Sequence, residues 1–109
     1  MRRGDIYVAA ARGDCTGKPR PIVVIQDDRF DATASVTVCP LTAHTLNAPL
    51  ARLELQPSGT NGLSRPNQIM VDKVTSIPRA IVRDRLGQLE SADLMRLNRA
   101  IMVFLGLAG

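Results

Sequence analysis

Pro21-Ile22-Val23-Val24-Ile25-Gln26 is the stretch from which the rest of the chain can be read. Four consecutive β-branched residues are stiff at χ1 and favour a pleated backbone, and alternate side chains on a strand point to opposite faces. A strand apolar on both faces belongs inside a sheet, covered on each side. Comparable short runs lie on either side of it, at residues 5–10, 35–41, 50–56 and 68–77. They predict a mostly antiparallel sheet. In Leu50-Ala51-Arg52-Leu53-Glu54-Leu55, Arg52 and Glu54 share one face while Ala51, Leu53 and Leu55 share the other, the pattern of a half-buried strand with its charges in solvent. Gly13 and Gly17, Asp27-Asp28, Pro57-Ser58-Gly59 and Asn61-Gly62 supply the turns between runs.

The period changes at the C-terminal end. Ser91 reads as an N-cap, Asp93 sets negative charge in the first turn, and Leu94, Leu97, Ile101 and Leu105 recur at helical spacing until Gly106. One amphipathic helix of about 14 residues follows from that spacing, with Arg96 and Arg99 on its solvated face. Pro78 suits the first position of a shorter helical turn ending before Gly87. A compact barrel of short strands capped by one helix fits this order, as a single domain over residues 1–109.

Composition narrows the chemistry. The 109 residues carry 14 Lys+Arg against 10 Asp+Glu, a net charge of +4, and 45% are hydrophobic, the balance of a chain with a core. A domain this small buries only about two-thirds of its unfolded surface, and aromatics at 3% leave an aliphatic core. Added burial against a second copy fits both facts. One histidine, His44, and two separated cysteines, Cys15 and Cys39, do not make a ligand set, so no metal or other cofactor is expected. The cysteines read as reduced thiols, with Cys39 a small core residue. Residues 6–11 are too short an apolar run for a signal peptide, and no run reaches the roughly 18 residues of a membrane span. A cytoplasmic protein without a membrane partner is expected.

Twelve of the fourteen cations are arginine, the others being Lys18 and Lys73. Guanidinium grips phosphate bidentately and stays charged. A high arginine share also follows from genome composition, so position has to decide. Thr16-Gly17-Lys18-Pro19-Arg20-Pro21 is the most suggestive position, because the flanking prolines hold Arg20 extended at the entrance to the central strand. A guanidinium aimed in advance, with Lys18 beside it, suits a phosphate. Pro40-Leu41-Thr42 offers a hydroxyl where another strand ends. Alone, each has an ordinary alternative: Arg20 in an ion pair, Thr42 capping a turn.

Together these segments resemble the MazF/PemK family of bacterial toxins, the ribonuclease halves of toxin–antitoxin pairs. The resemblance is carried by Arg3-Gly4-Asp5-Ile6-Tyr7, by Gly17-Lys18-Pro19-Arg20-Pro21 running into Ile22-Val23-Val24-Ile25-Gln26-Asp27, and by Val38-Cys39-Pro40-Leu41-Thr42. It continues through Gly62-Leu63, Ile69-Met70-Val71-Asp72-Lys73-Val74, Ile77-Pro78-Arg79, Leu86-Gly87-Gln88-Leu89 and Leu105-Gly106-Leu107. The resemblance implies a small SH3-like antiparallel barrel of the CcdB/PemK type with a C-terminal helix. It implies a homodimer that cleaves single-stranded RNA at short motifs without metal, inhibits translation and growth, and is neutralised by a cognate antitoxin occupying the RNA groove. The family's catalytic arginine and threonine fall on Arg20 and Thr42. A lone His44 cannot serve as both acid and base, so the chemistry left is attack of the ribose 2′-OH on its own phosphate, giving a 2′,3′-cyclic phosphate and a 5′-OH. Arg20 would act electrostatically, since arginine titrates above about 12.

Asp72 falls where some relatives carry an aspartate implicated in RNA handling, and it reads equally as a proton acceptor or as the partner of a nearby cation. Departures from the family affect substrate choice. Residues 12–16 make a shorter first loop, and Gln68, next to Asn67, replaces a small hydroxyl residue. The amides of Gln68 and Asn67 suit reading base edges or are exposed loop amides without a partner, and His44 suits stacking on a base or is simply solvated. Two other readings remain: a non-enzymatic toxin of the CcdB type that poisons gyrase, against which stands the absence of Trp, and a catalytically silent relative that binds only antitoxin or RNA.

Overall fold

The computed structural model describes residues 1–10 and 18–108. Cys15, Gly13, Gly17 and most of the first loop, on which part of the resemblance rests, lie outside the described residues. Seven strands precede one helix: β1 (Asp5–Ala9), β2 (Arg20–Val24), β3 (Ser35–Thr42), β4 (Arg52–Leu55), β5 (Asn67–Met70), β6 (Thr75–Pro78), β7 (Val82–Gln88) and α1 (Ser91–Phe104). The order across the sheet is β4-β5-β3-β2-β1-β7, with β6 also on β3, and every pairing is antiparallel.

The eight-residue β3 organises the sheet. Its first half pairs with β6, from Ser35 opposite Pro78 to Val38 opposite Thr75, and its last two residues pair with β5. The strand thus serves two parts of the sheet, and each takes a share of the core. Val23, on β2, faces a cluster with Ile6, Cys39, Leu41, Ile69 and Leu97, while Ile22 and Val24 face a second with Val36, Val38 and Ile77. The central, doubly covered strand expected from Ile22 to Ile25 is what forms. Cys39 is fully buried, and burial pushes its thiol up to about 12, so it is a core residue.

Four expectations are corrected. The ring does not close: β4 and β7 end the described path, so the architecture is an open sheet with α1 packed on β4 and on the turn after β5. The single strand expected over residues 68–77 is two, β5 and β6, which follow one edge of β3 and are separated by a 3-10 turn at Val71–Lys73. Only Arg79–Ile81 forms the helical turn expected after Pro78; residues beyond it make β7, whose backbone pairs with β1. Ser91 is not the cap. Glu90 takes that position with extended backbone, and no side chain caps the helix.

The helix runs 14 residues and ends where Gly106 turns at φ +77°, with the Leu107 N–H reaching back to the Met102 carbonyl. Leu97 is buried and Leu94 and Ile101 are half-buried, but Leu105 is exposed together with Met102, Val103, Phe104 and Leu107. Arg3 ties the helix to the sheet, its Nε donating to the Ile25 carbonyl (2.8 Å) and its Nη1 to Asn98 Oδ1 (2.6 Å).

Candidate nucleic-acid cleavage site

The site follows from strand register. β2 and β3 pair with Ile22 opposite Pro40, Val23 opposite Cys39 and Val24 opposite Val38. Continued two residues toward the start of β2, the same register brings Arg20 opposite Thr42, and opposed residues of antiparallel strands project from the same face. Thr42 is in turn opposite Gln68 on β5, and Gln68 opposite Glu54 on β4. A polar row, Arg20, Thr42, Gln68 and Glu54, therefore crosses four strands of one face.

Arg20 and Thr42 open onto a groove of about 610 Å³ whose strand wall also includes Lys18, Pro19 and Leu41. Lys18 and Arg20 are exposed, as a phosphate grip requires. Thr42 is buried to 8% exposure, and its Oγ1 accepts the His44 backbone N–H at 3.0 Å. That bond occupies a lone pair and leaves the hydroxyl hydrogen available to donate. The turn-capping role and the donor role are thus compatible in one residue.

The opposite wall was not foreseen. It consists of Gly62, Leu63, Ser64, Arg65 and Asn67, with Leu86 from β7. The available signal was the dipeptide Arg65-Pro66, which repeats the Arg20-Pro21 step. Among the described residues that line the groove are three cations and two hydroxyls, with no carboxylate and no imidazole.

Three of the proposed substrate contacts sit elsewhere. Gln68 is 2% exposed: its Oε1 accepts the Leu46 N–H (2.9 Å), and its Nε2 donates to the Leu46 carbonyl (2.9 Å) and to Glu54 Oε1 (2.7 Å). Its amide is spent on holding the loop after Thr42. Asp72 pairs with Arg52, Oδ1 accepting from Nε at 2.7 Å and Oδ2 from Nη2 at 3.2 Å. The Arg52 hydrogen bond holds its carboxyl below the usual carboxylate range, and neither residue lines the groove. Of its two readings, the ionic partner is the one realised. The same pair corrects the solvent-face expectation for Arg52, which is buried. His44 is exposed just beyond Thr42 and does not line the groove. Among the described residues, no three of His, Cys, Asp and Glu gather where a metal ion would be held.

The chain is a small domain built on an open antiparallel sheet, with an arginine and a threonine lining one cationic groove. Comparison with known proteins identifies its family. Residues 2–105 match the family of PemK-like, MazF-like toxins of type II toxin–antitoxin systems, and the chain belongs to it. Along its full 109 residues it is 57% identical to the whole of a Mycolicibacterium smegmatis protein named "Probable endoribonuclease MazF". The fold matches a mycobacterial endoribonuclease solved in complex with its cognate antitoxin (TM-score 0.81, 23% identity, 100% of this chain and 98% of that one). It also matches a MazE-MazF structure from Deinococcus radiodurans (TM-score 0.82, 18% identity, 99% and 98%). Membership in this family makes the chain a PemK-like, MazF-like toxin of a type II toxin–antitoxin system and displaces the CcdB-type alternative.

Proposed function

We propose that the groove between Arg20 and Arg65 is the cleavage site of a sequence-specific, metal-independent endoribonuclease acting on single-stranded RNA, with messenger RNA the expected target and inhibition of translation and growth the outcome. The observation that carries the reading is that Arg20 and Thr42, each two residues beyond the Ile22–Pro40 pair, line one cationic groove. The ribose 2′-oxygen forms the new bond to phosphorus, the bond from phosphorus to the 5′-oxygen breaks, and a 2′,3′-cyclic phosphate and a 5′-OH result. Arg20 neutralises the non-bridging oxygens as charge builds on them, and the Thr42 hydroxyl donates to one of them. Lys18 adds to the attraction for the strand. The 2′-OH gives up its proton and the departing 5′-oxygen takes one up, so the step proceeds with no net change in protons. The protein's contribution is position and charge.

The toxin reading includes two protein partners. A cognate antitoxin covers the groove, and a second copy of the chain covers apolar surface that one copy leaves in water, of which Met102, Val103, Phe104, Leu105 and Leu107 form the largest run in sequence. Light scattering at micromolar concentration should return twice the chain mass; a monomer would remove the dimer. No helix among the described residues is long and apolar enough to cross a membrane, and the RNA substrate places the activity in the cytoplasm. The deciding assay incubates the protein and its Arg20→Ala variant with long single-stranded RNA in excess EDTA and maps fragment ends. Cuts at a few short motifs with cyclic-phosphate ends, by the wild type only, are expected. An RNA left intact by both would leave the silent-binder reading.

A further inference from the structure

We propose that Arg65 holds a second phosphate of the RNA strand, next to the one on which Arg20 and Thr42 act; the inference rests on the cleavage reading above. Arg-Pro occurs twice in the sequence, at Arg20-Pro21 and Arg65-Pro66, and the two arginines line the two walls of the same groove. In both steps the proline restricts the preceding residue to extended backbone, which narrows the directions its side chain can take.

The wall carrying Arg65 is built to be stiff. Asn61 is fully buried, its Oδ1 accepting the N–H groups of Ser58 and Leu63 at 3.0 Å each and its Nδ2 donating to the Gln56 carbonyl at 2.8 Å. Gly62 follows at φ +70°, where an added Cβ would collide with the Leu86 carbonyl, so the loop lies directly on β7. Leu63 then enters the core and the Asn67 amide donates to the Arg65 carbonyl at 3.0 Å. A guanidinium on such a support loses little freedom on binding, because the backbone has already been ordered.

Charge selects the ligand. Three cations and no carboxylate, among the described lining residues, suit a polyanion, and a groove of about 610 Å³ exceeds what one phosphate needs. Arg20 and Thr42 serve one phosphate from the strand wall. The cation on the facing wall meets the next charge along the backbone, which fixes the register of the strand without reading sequence.

The test uses a short single-stranded RNA with one cut site, in which each linkage flanking that site is replaced in turn by an uncharged methylphosphonate. Arg65→Ala is expected to raise KM about tenfold with the loss falling on KM rather than kcat, and to reduce the slope of log affinity against log salt by about 0.7. Arg65→Lys should recover most of the loss. At one flanking linkage the methylphosphonate should weaken the wild type by a similar factor and the Arg65→Ala protein hardly at all. Losses that multiply at both linkages, or an altered cutting motif in Arg65→Ala, would overturn the proposal in favour of stacking on a base or no contact. Binding of the 2′-deoxy form of the same oligonucleotide, which lacks the nucleophile, is measured in parallel. Arg65-dependent, methylphosphonate-sensitive binding without cleavage of the ribose form would keep this phosphate site and discard the cleavage reading.

Discussion

Arg20 and Arg52 both begin strands of the same sheet, yet they meet opposite fates. Arg20 stands exposed at the start of β2, facing a groove without carboxylates among its described lining. Arg52 is buried at the start of β4 and grips Asp72 through two hydrogen bonds. The difference lies in the neighbouring elements. The 3-10 turn after β5 carries Asp72 to Arg52, and Met70 is opposite Arg52 in the β4–β5 register. Arg20 shares its groove with Thr42, which offers a hydroxyl and no charge. Arg52 has its counter-ion in Asp72, whereas Arg20 has no carboxylate partner among the described residues and faces the groove.

If that contrast is right, substitutions on the two sides should separate activity from stability. Arg20→Ala should lower the cleavage rate about 10³-fold, the scale of losing a cation that neutralises a phosphoryl transition state, with the midpoint of thermal unfolding unchanged. A large drop in that midpoint would mean that Arg20, too, is a structural cation. Thr42→Val should slow cleavage about 10²-fold, as for loss of one donor to a developing oxyanion; a near-normal rate would reduce Thr42 to a turn cap for the His44 N–H.

Gly62→Ala tests the facing wall and should affect both properties. The left-handed backbone there disfavours any side chain, and relaxing it should cost about 2 kcal/mol in denaturant unfolding, with a KM increase as the loop leaves Leu86. Unchanged KM would separate the wall from RNA binding.

Asp72→Asn should cost the least, about 1.5 kcal/mol at neutral pH, with cleavage per folded molecule unchanged. Its pH dependence has a definite sign. Because Arg52 lowers the Asp72 carboxyl in the folded chain, the ion pair stabilises fully above the unfolded carboxylate value, about 3.9. That contribution is lost as pH falls through the lowered folded value. The stability gap between wild type and Asp72→Asn should therefore shrink below about pH 4; a gap that persisted there would point to packing rather than charge.

Much of the frame was legible locally. Ile22 to Ile25 could satisfy both faces only in a central strand, and the spacing of Leu94, Leu97 and Ile101 up to Gly106 gave α1 to within a residue at each end. The errors lie where local rules conflict. Pro78 suits a helix start, but only three residues follow as a turn because β1 needed an antiparallel neighbour, and Val82–Gln88 supplied it. The alternation of Arg52 and Glu54 put both in solvent, whereas only Glu54 is exposed.

By itself the sequence determined the strand-rich class, the aliphatic core, the closing helix, and the two residues, Arg20 and Thr42, that suit a phosphate. Periodicity, proline geometry and side-chain charge act within a few residues, and they can be read from neighbours in the chain. The tertiary structure alone decided that Arg20, Thr42 and Arg65 line one groove, and that Asp72 and Gln68 are withdrawn into bonds with Arg52 and Leu46. Those outcomes depend on which strand lies beside which. A carboxylate or an amide goes to whichever partner the register brings within hydrogen-bond reach, and nothing in its own neighbourhood of the sequence identifies that partner.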